Sequence, residues 1–142
     1  MGVHTHLAGL SIENGSRQVD GAQGDTLEMV ATFQPVDAVA FGLTVRCHAD
    51  GSAGLPIRYA AGILDVAGTQ VPLDLGSGDA LELHLFLDKS VLELFVQGGV
   101  ASVTRVNYPA ENDLDVFVFA EGGSVRLISL DVWELASVWS DA

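Results

Sequence analysis

The sequence predicts an all-β fold: a two-sheet antiparallel β-sandwich of the lectin-like jelly-roll type, with about ten strands. Short apolar runs recur along the whole chain, and none keeps the 3.6-residue period of an amphipathic helix. Clusters of Gly, Asp, Asn and Pro separate these runs, as turns between antiparallel strands require. The chain has 142 residues, which suits one domain, so we predict a single β-sandwich domain over residues 1–142.

The N-terminal half contains five predicted strands, each rich in aliphatic, aromatic or β-branched residues. Each run ends where glycine, proline or several polar residues interrupt it. In chain order these strands are Ala8–Glu13, Thr26–Phe33, Ala38–His48, Pro56–Ala60 and Gly62–Val66.

The C-terminal half contains five more predicted strands, joined by residues that favour tight turns. Gly98-Gly99 and Gly122-Gly123 supply the positive φ that hairpin turns need, and Asp88-Lys89-Ser90 offers polar turn chemistry. We therefore expect three consecutive hairpins. The strands are Ala80–Leu87, Val91–Gln97, Ala101–Tyr108, Leu114–Ala120 and Ser124–Leu135.

The first of these hairpins has a predictable register. A two-residue turn at Lys89-Ser90 pairs Asp88 with Val91, and this pairing fixes which side chains share a face. One face is entirely aliphatic and is predicted to line the core, because exposing it would forgo about 1.5–3 kcal/mol per side chain. That face consists of Leu83, Leu85, Leu87, Leu92, Leu94 and Val96.

The opposite face mixes aromatic and hydrogen-bonding side chains, which suits contact with a partner domain or a sugar ring. Phe117 and Phe119 repeat this unusual pattern later in the chain. The alternative is that loops of the same chain cover these aromatic rings. The candidate residues for carbohydrate or interface contact are Glu82, His84, Phe86, Glu93, Phe95 and Trp139.

The two tryptophans close the chain. Trp133 ends the strand pattern, and a solitary tryptophan there is predicted to plug the core or an interface. Trp139 follows after the pattern fades and is the better candidate for contact with a neighbouring domain.

Composition and charge exclude several classes of partner. The net charge of −13 repels phosphate backbones, and no apolar run approaches the ~18 residues of a membrane span, so neither nucleic acid nor a membrane is expected. The N-terminus lacks a basic start and an apolar stretch, so we expect a soluble chain without a signal peptide, of unknown compartment. The single cysteine, Cys47, is predicted to be buried.

No catalytic, metal or cofactor site is predicted. Asp88 and Glu93 lie on one hairpin, but a turn cap and an outward strand residue account for them without catalysis. His4 and His6 place two imidazoles on one side of an extended segment, yet the sequence offers no third ligand beside them. Nucleophile elbows, phosphate loops and dinucleotide motifs are absent from the sequence.

Four stretches resemble the C-terminal β-sandwich module of glycoside hydrolase family 32, which contains invertases, levanases, inulinases and fructosidases. The family's D-x-S-x-x-E-x-F pattern is matched in LFLDKSVLELF, residues 85–95, and its strand ending Tyr-Pro at Tyr108-Pro109. A weaker likeness is Phe41-Gly42-Leu43 followed by Arg46-Cys47. The family's aromatic-acid-Gly-Gly and D-x-W patterns are matched by Phe119, Glu121, Gly122, Gly123, Asp131 and Trp133.

The resemblance implies a non-catalytic role for this chain. The family's catalytic residues belong to an N-terminal five-bladed propeller with N-D-P, R-D-P and E-C motifs, and none of these occurs here. Cleavage of β-fructosides is thus implied only for a parent enzyme, in which the module packs on the propeller. In a solitary chain the same surface is free, and self-association is one way to cover it. Two alternatives stay open: a free-standing module that binds fructan or a sucrose-type glycan, and an enzyme with an unrecognised site.

Overall fold

The structure is a computed structural model that describes residues 4–19, 26–47, 54–76, 78–88, 91–106 and 115–134. These residues contain no helix that could cross a membrane. The predicted all-β fold class is confirmed. The ten strands are β1 (His4–Gln18), β2 (Thr26–Pro35), β3 (Ala40–Cys47), β4 (Leu55–Ala60), β5 (Ile63–Val66), β6 (Thr69–Pro72), β7 (Leu81–Asp88), β8 (Val91–Val96), β9 (Ala101–Val106) and β10 (Asp115–Glu134).

The strands pair antiparallel in the order β6-β5-β4-β3-β10-β2-β7-β8-β9, and β1 pairs with β10 as well. Strand β1 follows one edge of β10 along almost its whole length. The other edge of β10 pairs first with β3 and then with β2. The sheet therefore folds over along β1 and β10 into two layers, a first sheet that runs to β6 and a second that runs to β9.

The fold-over depends on a bend in the middle of β10. Gly122 adopts φ 68°, and β1 shifts register at the same level, between Glu13 and Gly15. The backbone N–H of Gly122 donates to Asn14 Oδ1 over 3.1 Å, which joins the two bends. Such a bend lets one strand serve both layers of a sandwich.

This bend corrects the predicted hairpin at Gly122-Gly123. The segments before and after these glycines do not pair with each other but form one continuous strand. A glycine pair supplies positive φ to a tight turn and to a strand bend alike, so the local sequence does not separate the two. The pairing with β1, more than 100 residues away in the chain, selects the bend.

Two other differences concern edge strands. Strand β6 was not predicted, because Thr69–Pro72 contains no apolar run. Only its backbone pairing with β5 identifies it as a strand. Strand β1 begins at His4 instead of Ala8 and extends to Gln18, since its polar ends pair with β10 while most of its side chains stay exposed. Hydrophobic patterning does not report exposed edge strands of this kind.

The core lies between the two layers and draws on both. Phe33 of β2 and Phe41 of β3 meet across it with ring centroids 5.4 Å apart. The predicted hairpin register is confirmed, with Asp88 opposite Val91, and all six aliphatic side chains of its inner face are buried. Cys47 is buried too, and its Sγ donates to the carbonyl of Asp115 over 3.2 Å.

The far edges of the two sheets also approach each other. Arg105 Nη1 on β9 donates to Thr69 Oγ1 on β6 over 3.0 Å. This side-chain bridge joins the last strand of each sheet, so these two edges lie side by side at the border of the sandwich.

Candidate functional site

The outward side of the second sheet is the candidate site, and we call it the mixed face. Pairing aligns its side chains in rows that cross β1, β10, β2, β7 and β8 in turn. Aromatic rings, imidazoles and carboxylates alternate along these rows. The mixed face consists of His4, His6, Glu28, Glu82, His84, Phe86, Glu93, Phe95, Asp131 and Trp133.

The outward side chains of the β7–β8 hairpin lie together on the mixed face, as the predicted register requires. Phe86 and Phe95 pack edge to face with centroids 6.2 Å apart, and the His84 ring lies 4.6 Å from Phe86. Both phenylalanines are half-buried, because each covers part of its neighbour, while Glu82 and Glu93 are exposed. The candidate contact surface therefore keeps partial aromatic exposure between charged side chains.

His84 has a carboxylate partner that the sequence did not indicate. Its Nε2 lies 2.7 Å from Glu28 Oε2, and both side chains keep about a third of their surface exposed (37% and 30%). Glu28 lies on β2, which precedes β7 in the sheet but is separated from it in the chain by four other strands. The alternation in β2 marks Glu28 as outward-facing, but only the strand order places it beside His84.

The opposite end of the mixed face is built by β1 and β10. His4 Nε2 and His6 Nδ1 lie 2.9 Å and 2.7 Å from the same oxygen, Asp131 Oδ1. The hydrogen bond with His6, followed by that with His4, lowers the pKa of the Asp131 carboxyl below its ordinary value. Asp131 therefore stays ionised between two imidazoles.

Trp133 lies on the mixed face and not in the core. Its ring stacks on that of His4, with centroids 4.9 Å apart and planes 4° from parallel. The inward position next to it is taken by Val132, which is buried. The expectation of a core plug is therefore wrong for Trp133, because the alternation along β10 directs it outward, while an interface role stays a prediction.

The mixed face is strongly acidic. It carries four carboxylates, whereas the one arginine among the described residues on the same side of the sheet is the exposed Arg126 of β10. A surface of this charge favours a partner that presents cationic or neutral hydrogen-bonding groups beside apolar ones. The acidic side chains are Glu28, Glu82, Glu93 and Asp131.

The other sequence candidates have different outcomes. Phe117 is only 8% exposed. At this position the chain covers its own aromatic ring, which is the alternative to a partner surface. Asp88 and Glu93 are both exposed strand residues. Trp139 and the turn residues Lys89-Ser90 lie outside the described residues. No group of three or more metal-ligating side chains is assembled within the described ranges.

Comparison with known proteins identifies the chain's family. The family model described as "Glycosyl hydrolases family 32 C terminal" matches residues 4–134. The chain belongs to this family. Its likeness to the family's C-terminal module, expected from the sequence, is confirmed.

Curated relatives of the family 32 module are much longer than this chain. A 6(G)-fructosyltransferase of Asparagus officinalis is 31% identical over 123 residues, which cover 82% of this chain and 19% of the relative. A raffinose invertase of Escherichia coli is 25% identical over 114 residues, covering 76% of this chain and 24% of the relative. The chain thus spans about a fifth of the length of these relatives.

Solved structures share the fold of the family 32 module. Fructan 1-exohydrolase IIa of Cichorium intybus superposes on 95% of this chain with a TM-score of 0.83 and 15% identity, over 36% of its own length. An exo-inulinase of Aspergillus awamori matches 96% of this chain with a TM-score of 0.79 and 20% identity, over 29% of its own length.

Four of the residues that carry the family pattern converge in space. Glu93 and Phe95 from the first pattern, and Asp131 and Trp133 from the D-x-W pattern, all lie on the mixed face. Two stretches that are distant in the chain therefore meet on one surface. The sequence alone does not predict this meeting.

Proposed function

We propose that this chain is the non-catalytic C-terminal module of a longer enzyme that acts on β-fructosides, and that its mixed face packs against the catalytic domain. The convergence of four family-pattern residues on the mixed face carries this proposal. The length of the relatives supports it, because the chain corresponds to about a fifth of a 6(G)-fructosyltransferase.

The chemistry of the mixed face supports a contact role over a catalytic one. Glu28 is engaged by His84, and Asp131 by two imidazoles, so neither is arranged as one of two free carboxylates flanking a single bond. The propeller motifs to which the family owes its activity do not occur in this sequence.

The physical character of the mixed face fits a protein surface. Half-buried rings such as Phe86, Phe95 and Trp133 offer further apolar area to bury, and aromatic anchors of this type contribute strongly to interfaces. When no catalytic domain is present, a second copy of the chain would cover the same face by self-association.

Fructan binding is a second candidate function for the mixed face. Aromatic rings beside carboxylates and imidazoles are suited to contacting sugar rings and their hydroxyl groups. The relatives' names include fructosyltransferases and a levanase, which makes a fructan the ligand to test.

Calorimetric titration separates these functions. The chain is titrated with the catalytic domain of a family 32 enzyme lacking its own module, and separately with inulin and levan. We expect binding to the catalytic domain, weakened by Phe95→Ala and Trp133→Ala. Ile63→Ala, which changes an exposed side chain of the first sheet, is the matched control and should bind as the unmodified chain does. Binding of fructan alone favours the second candidate, and binding of neither contradicts both.

A further inference from the structure

We propose that His4 and His6 form a two-imidazole chelate for a divalent transition-metal ion of the Zn²⁺, Ni²⁺ or Cu²⁺ type, beside the carboxylate of Asp131. This inference does not rest on the packing role proposed above, although His4 and His6 lie on the same mixed face, because the ion is tested on the isolated chain. From the sequence alone no metal site is predicted, because no further cysteine or HExxH motif accompanies His4 and His6. Pairing of β1 with β10 provides a neighbouring carboxylate, since His6 is directly opposite Asp131.

The geometry of β1 brings the two imidazoles together. Residues two apart on a strand share a face, so the His4 and His6 rings both project outward, with centroids 6.4 Å apart. Two imidazoles that share an ion at about 2.0–2.1 Å from each nitrogen have ring centres roughly 5–6 Å apart. A small side-chain rotation therefore brings both nitrogens within bonding distance of one ion.

Asp131 assembles the site electrostatically. Its Oδ1 already holds His4 Nε2 and His6 Nδ1 within 2.9 Å, so both nitrogens point toward one small region. On metal binding each of these nitrogens exchanges its hydrogen bond for a metal bond, and the ring proton resides on the other nitrogen. The carboxylate of Asp131 gives up these hydrogen bonds, and its negative charge then lies close to the positive ion.

Exposure and stacking suit reversible binding. The side chains of His4 and His6 are 46% and 54% exposed, so an ion reaches them without opening the core, and water fills its remaining positions. Stacking on Trp133 restricts the His4 ring, which reduces the entropy lost on binding. Imidazole ligands favour Zn²⁺, Ni²⁺ and Cu²⁺ over Mg²⁺ and Ca²⁺.

The test is a titration of the purified chain with Ni²⁺ and Zn²⁺, followed by calorimetry and by the NMR signals of the imidazoles. We expect saturation at one ion per chain, with the His4 and His6 signals affected first. His6→Gln should weaken binding by at least about tenfold, because it removes one of the two ligands. Asp131→Asn should also weaken binding, because it removes the negative charge beside the ion. Circular dichroism of each variant checks that the fold is retained.

His84→Ala is the matched control. His84 also lies on the mixed face and also contacts a carboxylate, but it has no second imidazole two residues away. This variant should bind the ion within about twofold of the unmodified chain. The proposal is overturned if the unmodified chain shows no saturable binding at millimolar metal. It is equally overturned if His6→Gln binds as tightly as the unmodified chain, or if His84→Ala abolishes binding.

Discussion

Leu94 and Phe95 are neighbours in the chain but serve opposite sides of the second sheet. Leu94 is fully buried between the layers, whereas Phe95 is half-buried on the mixed face. Strand alternation alone creates this division, so a single residue step separates a core position from a contact position.

The two positions should respond differently to truncation. Leu94→Ala is expected to lower the free energy of unfolding by about 2–5 kcal/mol, because it leaves a cavity in the core. Phe95→Ala should cost the isolated chain distinctly less, since part of its ring is already exposed. Chemical denaturation of both variants checks this, and a larger loss for Phe95→Ala than for Leu94→Ala would contradict the assignment of faces.

Gly42 is expected to tolerate no side chain. A Cβ at this position would lie 1.9 Å from the carbonyl oxygen of Ile57 on the neighbouring strand β4. Gly42→Ala should therefore destabilise the chain by more than about 2 kcal/mol through backbone displacement. Gly15→Ala is the control, because Gly15 has the same φ of 156° but its added Cβ would lie 3.4 Å from the nearest atom, the carbonyl oxygen of Glu13. Equal thermal unfolding of both variants would show that backbone conformation, and not the close approach, matters at Gly42.

Among the elements, the β7–β8 hairpin and the bent strand β10 show what the sequence does and does not predict. The register of the hairpin was predicted correctly because strict alternation and a short turn are local signals. Strand β10 was not, because its continuity depends on β1 at the other end of the chain. The same reason explains why Glu28 and Asp131 were missed as partners of histidines: their placement requires the strand order.

The bend in β10 should make stability sensitive to acid. Asp37 accepts hydrogen bonds from the backbone N–H and the hydroxyl of Ser124, just after the bend. The backbone bond, followed by the hydroxyl bond, lowers the pKa of Asp37 below its ordinary value of 3.8. A lowered pKa stabilises the fold at pH values above 3.8, and this contribution is lost as the pH falls through the lowered value.

Asp37→Asn tests this contribution, since the amide oxygen still accepts hydrogen bonds but carries no charge. The urea midpoint of the variant should fall less than that of the unmodified chain between pH 5 and pH 2. Asp131→Asn is a useful comparison, because the pKa of Asp131 is lowered by imidazoles instead. An acid dependence unchanged by Asp37→Asn would show that the bend does not rely on this carboxylate.

For the whole molecule, the two layers share β1 and β10 at one side and meet through Arg105 and Thr69 at the other. This leaves the outward sides of the sheets as the broad surfaces available to a partner. The mixed face on the second sheet combines aromatic rings with four carboxylates, and four of the family-pattern residues meet there. The family was predictable from short sequence patterns, but their meeting on one surface required the fold.

The isolated chain is expected to release no fructose from sucrose, inulin or levan. The reason is that the propeller carboxylates implied by the family resemblance are absent from the sequence. Fructose is measured enzymatically after extended incubation of rigorously purified chain. Release that co-purifies with the chain and is lost when its carboxylates are changed would contradict a non-catalytic role.

The central proposal is that the mixed face is the contact surface for the catalytic domain, and hydroxyl-radical footprinting tests it most directly. The chain is oxidised alone and in the presence of a family 32 catalytic domain, and the modification of each side chain is read by mass spectrometry. We predict protection of Phe86, Phe95 and Trp133, with unchanged oxidation of the exposed side chains Ile63 and Val36. Protection of Ile63 with undiminished oxidation of Phe86, Phe95 and Trp133 would place the contact on the first sheet and contradict the account.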